Sequence, residues 1–254
     1  MRLAITREVS PAIARCELTH LSRQRIDLEK ARGQHAAYER CLADAGCTVT
    51  RLPAGADVPD SVFVEDIALV FDEIAVITRP GAESRRLETP MVAAAVGAHR
   101  SLVHIEAPGT MDGGDVLVVG RRIFVGESSR TNAAAVEQLK KLMAPYGYQV
   151  EGVPVRGCLH LKSAVTAISG ETLLINRDWA PIDRLSSFDL LDVHPQESWG
   201  ANALSIEDTV IYPTRFPRTR RRMEDRGFHV VGVDVGEIAK AEGAVTCCSL
   251  IFAA

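Results

Sequence analysis

One pattern recurs along this chain and limits its fold more than any other property. A polar residue leads into a short apolar run, a polar turn of two or three residues, and a second apolar run. It appears at Asp66–Phe71, Asp72-Glu73 and Ile74–Ile77, then at Asp115–Val119, Gly120–Arg122 and Ile123–Val125. It returns at Ser163–Ile168, Ser169–Glu171 and Thr172–Ile175, and at Asn202–Ile206, Glu207-Asp208 and Thr209–Tyr212. Runs rich in Val and Ile around such a turn read as β-hairpins, and near-continuous hydrophobicity marks strands buried on both faces. A fifth copy is split. Cys248–Phe252 has no partner after it, and Leu3–Ile5 has none before it. Pairing the two closes a ring of five units and removes free sheet edges.

Helical patterns fall between the hairpins. Asp27 is a candidate N-cap, Leu28, Ala31, His35, Tyr38 and Leu42 follow at helical spacing, and Gly46 is a candidate stop. Ser128–Tyr146 and Arg218–Arg226, the latter after Pro217, read the same way. A length of 254 residues allows one large domain or two small ones. No linker or composition break interrupts the repeat, so residues 1–254 are expected to form a single α/β domain of five ββ-plus-helix units around an axis.

Apolar residues at 46% and charged residues at 24% exclude a disordered chain. With 29 basic against 33 acidic side chains and a net charge of -4, a nucleic-acid surface is not expected. At 5% aromatics, a base-stacking platform is not expected either. No apolar stretch approaches the roughly 18 residues that span a bilayer, and the first residues do not read as a signal peptide. The expectation is a cytoplasmic protein with reduced thiols and no membrane partner. Its six cysteines show no CxxC spacing, and GxGxxG and Walker A motifs are absent. A ring closed within one chain needs no second copy, so a monomer or a homodimer is expected.

In a closed ring the equivalent points Asp66, Asp115, Ser163, Asn202 and Cys248, at the start of each first strand, converge near the axis. Around them lie Asp60, Glu65, Asp66, Asp112, Asp115, His160 and Cys247. Carboxylates, one histidine and one cysteine make the constellation of a nucleophilic hydrolase. Cys247 is the candidate nucleophile and His160 its candidate activator. The bland alternatives are a buried thiol acting as a small hydrophobe, a strained vicinal redox pair with Cys248, and a core histidine between two leucines. Glu65 and Asp66 are costly in an apolar strand entry without a cation. That cation is either an internal arginine or the guanidinium of a ligand held bidentately, with Asp60 meeting an ammonium. Asp112-Gly-Gly-Asp115 is either a turn or a place where backbone approaches a ligand closely. Arg85 and Arg130 follow the second strand of their repeats in similar local sequence and are candidates for a carboxylate clamp. The Arg218–Arg222 run reads as a solvated helix face.

The strings Asp60–Asp66, Arg79–Arg86, Asp112–Leu117, Arg130–Asn132, Leu159–Ser163 and Thr246–Ser249 resemble the dimethylarginine dimethylaminohydrolase family, in the family's order and across nearly the whole chain. That family belongs to the pentein superfamily, so the resemblance implies a five-bladed α/β propeller. It implies that Cys247 attacks the guanidinium carbon, that His160 is the general acid and base, and that Asp112 orients it. It implies that Glu65 and Asp66 hold the guanidinium, Asp60 and the backbone of Leu18 surround the α-amino end, and Arg85 and Arg130 clamp the carboxylate. Phe63 packs against the reacting end. Ala241 departs from the family in side-chain type, so it contributes a main-chain contact. The implied reaction turns Nω-methylated arginine into citrulline and an amine through a covalent thiouronium, with no metal or organic cofactor; zinc captured by the Cys–His pair would inhibit. The alternatives are a deiminase acting on unmethylated arginine, a protein that binds guanidine compounds without turnover, and a redox protein. Leu18–Arg25 is the candidate lid.

Overall fold

The computed structural model describes residues 1–180 and 182–254. It contains five three-stranded sheets of one topology. In each, the first strand runs antiparallel to the second, across a tight turn in four of the five, and a third runs parallel to the second. The sheets comprise Ala68–Val70, Ala75–Ile77 and Leu102–His104; Val116–Val119, Arg122–Glu127 and Gln149–Pro154; and Val165–Ala167, Thr172–Ile175 and Asp189–Asp192. Leu204–Ile206, Thr209–Pro213 and His229–Val233 make the fourth. In the fifth, Leu250–Ala253 pairs antiparallel with Arg2–Arg7, which runs parallel to Cys47–Leu52. Leu3 faces Phe252 and Ile5 faces Leu250, so the split unit forms by the pairing its apolar runs predict.

The parallel third strand of each sheet is a departure from the expected ββ-plus-helix unit. A helix makes each crossover: Thr89–Gly97, Ala133–Met143, Ile182–Leu185, Pro217–Asp225 and Leu28–Asp44. A parallel return requires such a crossover, so the helix and the third strand come together. The polar points also sit differently from expectation. Asp66, Asp115 and Ser163 lie in short helical turns, Val64–Ile67, Gly113–Asp115 and Leu161–Ala164, just ahead of the first strands.

The Leu28–Asp44 helix forms as its pattern dictates. Asp27 Oδ1 accepts from the Lys30 amide at 3.1 Å, and Gly46 takes φ +90° beyond its end. Ala31, His35, Tyr38 and Leu42 are buried against the fifth sheet. Each large apolar side chain so buried contributes about 1.5–3 kcal/mol. The Tyr38 hydroxyl shares a 2.6 Å hydrogen bond with Ser249 Oγ, fixing this helix to the segment that follows the cysteine pair. The Arg218–Arg222 run is only partly a solvated face. Arg222 donates to the carbonyls of Asp192 and Val193, and Arg220 to that of Val230, while Arg218 and Arg221 are exposed. None of the described helices is long and apolar enough to cross a membrane.

Candidate active site

The segments ahead of the first strands meet, and hydrogen bonds run in a circuit between them. The Glu65 amide donates to the Cys247 carbonyl at 3.2 Å, and the Gly114 amide to Asp66 Oδ1 at 2.9 Å. The Leu161 amide donates to Asp115 Oδ1 at 3.0 Å. Asn202 then donates to the Lys162 carbonyl at 3.1 Å and accepts from the Thr246 amide at 3.2 Å, which returns to the cysteine segment. The two glycines after Asp112 are required by this crowding. A Cβ on Gly114 would stand 2.6 Å from His160 Nδ1, and one on Gly113 would run into the Glu65 carbonyl.

One pocket is lined by Glu17, Asp60, Phe63, Asp66, Arg85, Arg130, Leu159, His160, Ala241, Glu242, Gly243 and Cys247. It therefore gathers eight of the residues singled out from sequence. Asp112 stands behind His160, its Oδ2 3.1 Å from Nε2, while its Oδ1 accepts from the Gly81 amide at 2.9 Å. Leu18 packs against the apolar cluster that includes Phe63 and Ala241. Glu65 does not line the pocket: its carboxylate accepts from Lys162 Nζ at 2.6 Å and from Thr246 Oγ1 at 2.8 Å. Both acids have thus found an internal cation, Lys162 for Glu65 and Arg85 for Asp66.

The electrostatics set protonation states. Burial pushes the Cys247 thiol up to about 12, and the nearby Glu65 and Asp66 carboxylates add to the effect. Burial pulls His160 down, but Asp66, Asp115 and Asp112 outweigh it and hold the imidazolium to about 9. Burial works against the Asp66 carboxylate as well, yet Arg85 and then His160 keep it ionised down to about 2. The free site therefore holds a neutral thiol beside an imidazolium at neutral pH. Cys248 is different in kind. Its thiol is buried in the core, 3.8 Å from the Ala244 carbonyl, and does not line the pocket. Ligand atoms of Asp66, Asp112 and His160 lie within 4.8 Å of one another, the spacing of a metal site. Arg85 on Asp66 and Arg130, 3.6 Å from Asp112, already supply the positive charge there.

Arg85 is committed to the fold. Nη1 donates to Asp66, Nε and Nη2 to Glu88, and Nη2 also to the Phe63 carbonyl. Its side chain is 4% exposed and that of Glu88 only 1%. Arg85→Met would leave two buried carboxylates without their cation and is expected to lower unfolding free energy by about 3–5 kcal/mol. Chemical denaturation measures this, and a loss below about 1 kcal/mol, the range of an exposed pair, would show the network to be solvated.

Glu17, Leu159, Lys162, Thr246, Glu242 and Gly243 were not singled out from sequence. Lys162 carried a usable signal, because a cation in the apolar run Leu159–Ala164 needs an acid just as Glu65 needs a cation. Glu242 carried none beyond preceding a glycine.

Fold and site together define the class. Five small α/β sheets of one topology, with cysteine, histidine and carboxylates at one pocket, are the arrangement of the pentein proteins. The N-terminal domain of a cyanobacterial arginine dihydrolase shares the fold, at TM-score 0.87 and 18% identity over 98% of this chain and 97% of that one. The family model for N,N dimethylarginine dimethylhydrolase, eukaryotic, matches residues 14–181. The N(G),N(G)-dimethylarginine dimethylaminohydrolase of Streptomyces coelicolor is 41% identical over 97% of this chain and 95% of its own. That of Pseudomonas aeruginosa is 37% identical over 89% and 90%. A cysteine-to-serine variant of a Pseudomonas aeruginosa enzyme of this name, solved with citrulline, superposes at TM-score 0.93 with 35% identity, covering 98% of both chains. The chain belongs to the dimethylarginine dimethylaminohydrolase family.

Proposed function

We propose that this protein hydrolyses Nω-methylated arginines to citrulline and dimethylamine or methylamine. The observation that carries the reading is one pocket lined by Cys247, His160 and Asp66 together with Asp60, Arg85 and Arg130. These are a nucleophile, an acid and groups of both signs for a cationic zwitterion. The pentein family and the hydrogen-bond circuit among the central segments support a five-bladed propeller, built as a single domain from residues 1–254. Six unpaired thiols support a reducing compartment, and the reading places the enzyme in the cytoplasm.

In this reading the guanidinium enters beside Asp66, and its charge offsets the carboxylates that hold the thiol protonated. The thiol releases its proton to solvent, and Cys247 Sγ attacks the guanidinium carbon. His160, held by Asp112, gives its proton to the departing methylamine nitrogen. That leaves a thiouronium on Cys247 and a neutral imidazole. The imidazole takes a proton from water as the water adds to the same carbon. The carbon–sulfur bond then breaks, the added hydroxyl's proton passes to the departing sulfur, and citrulline is released with the Cys247 thiol and the imidazolium restored. Arg130 faces the amino-acid carboxylate and Asp60 the ammonium, with Leu18 and Ala241 supplying main-chain contacts.

The test is citrulline release from arginine, monomethylarginine and asymmetric dimethylarginine. Turnover of the methylated compounds is expected; citrulline from arginine alone would make the protein a deiminase, and none from any of the three would leave only a binder. The pH dependence has a definite sign. The free thiol and imidazolium lose their first proton at about 9 and the second at about 12, and the reacting state carries one proton between them. Hence kcat/KM is expected to rise with pH up to about 9 and then level, not to fall there.

A further inference from the structure

Glu242 stands out among the pocket residues the mechanism does not use. It is a non-glycine residue in left-handed backbone, at φ 60°, directly after Ala241 and before Gly243. Its carboxylate accepts from three consecutive backbone amides: Thr19 at 3.0 Å, His20 at 2.6 Å and Leu21 at 2.6 Å. Successive amides aimed at one anion form a nest, and each bond there is charge-assisted. The same segment is fixed at other points. The Glu17 amide donates to Asp60 Oδ2 at 3.1 Å, Arg130 Nη2 to Thr19 Oγ1 at 3.2 Å, and Lys240 Nζ to the Arg25 carbonyl at 3.1 Å.

Free volume shows what this does to the pocket. About 20 Å³ remains in it, room for a water or two and not for an arginine. Beside it lies a more apolar cavity of about 100 Å³, walled by His20, Leu21, Trp199 and Phe216. Leu159, Glu242 and Gly243 line both, so Glu242 stands in the partition.

We infer that Glu242 is a positioning residue: its carboxylate latches residues 17–21 over the pocket and thereby sets Asp60, Arg130 and the Leu18 backbone for the substrate's amino-acid end. The inference rests on the proposed function. Substrate admission breaks the three amide contacts and closure remakes them, so the latch acts on binding and not on bond cleavage. Without it the free enzyme populates the open loop, and each binding event must supply the closure.

Glu242→Asn tests this cleanly, because asparagine tolerates left-handed backbone better than glutamate, so a loss cannot be laid to strain. Glu242→Gln keeps the length and one acceptor. The KM for asymmetric dimethylarginine is expected to rise about tenfold in Glu242→Asn, with kcat unchanged within about twofold and Glu242→Gln intermediate. Without any substrate, trypsin is expected to cut after Arg23 or Arg25 about tenfold faster in Glu242→Asn than in the parent, the thermal midpoint staying within about 3 °C. An unchanged KM, an unchanged trypsin rate, a loss confined to kcat, or a larger fall in midpoint would overturn the latch. The trypsin arm needs no turnover, so an enzyme inert toward methylated arginines would sink the proposed function and leave the latch to be judged separately.

Discussion

Cys247→Ser is expected to stop citrulline release, lowering kcat by at least about 10³-fold, because losing a nucleophile typically removes most of an enzyme's chemical acceleration. Serine keeps the size of the side chain but its hydroxyl ionises far less readily than a thiol. The guanidinium that would bring the Cys247 thiol within reach of neutral pH has too far to move an alcohol. Binding should survive, since neither Asp60 nor Arg130 depends on the sulfur, and calorimetry with a methylated arginine separates the two effects. Cys248→Ser is the informative partner. That thiol donates to the Ala244 carbonyl from within the apolar core, a bond a hydroxyl can keep. Activity within about threefold of the parent is expected there, because nothing that reacts has been removed. The reverse pattern would move the attack to Cys248.

His160→Gln is expected to slow turnover by about 10²–10⁴-fold, the usual contribution of a placed proton donor. Glutamine retains a group that donates to Asp112 Oδ2, so the loss is one of proton transfer and not of packing. It also changes the pH profile in a way that packing does not. With the imidazolium gone, the first proton to leave the site belongs to Cys247. The rise in kcat/KM should then continue beyond pH 9 toward the thiol's own ionisation, pushed to about 12. A profile that still bends near 9 would mean another group titrates there.

The hairpins were legible because both of their strands are buried, and burial on two faces writes a continuous apolar run such as Leu173–Ile175. The third strands were not. Cys47–Leu52 and Gln149–Pro154 lie at sheet edges with mixed exposure, and their residues, Thr-Arg and Glu-Gly among them, carry no period to read. The Thr89–Gly97 helix was equally silent, being apolar with no polar stripe. Within the site, the chemistry-bearing residues stood out because each is costly where it sits. Asp66, Asp112 and His160 are polar residues in runs that bury. Glu65 was read for the right reason, its need of a cation, while its actual partner Lys162 went unread. Glu242 stayed hidden because its role depends on backbone amides more than 200 residues away in the chain, and amides leave no mark in a sequence.

The pairing of Leu250–Ala253 with Arg2–Arg7 also bears on the order in which the molecule assembles. Four sheets are built from contiguous stretches and involve modest loop closure. The fifth joins Leu250–Ala253 to Arg2–Arg7, the pairing of greatest sequence separation among the described strands. Until residues 250–253 have been made, Arg2–Arg7 lies beside Cys47–Leu52 with one edge unpaired. Cys247 stands three residues before that completing strand. The candidate nucleophile is thus mounted beside the strand that completes the fifth sheet, so the four other sheets can form before the pocket is assembled.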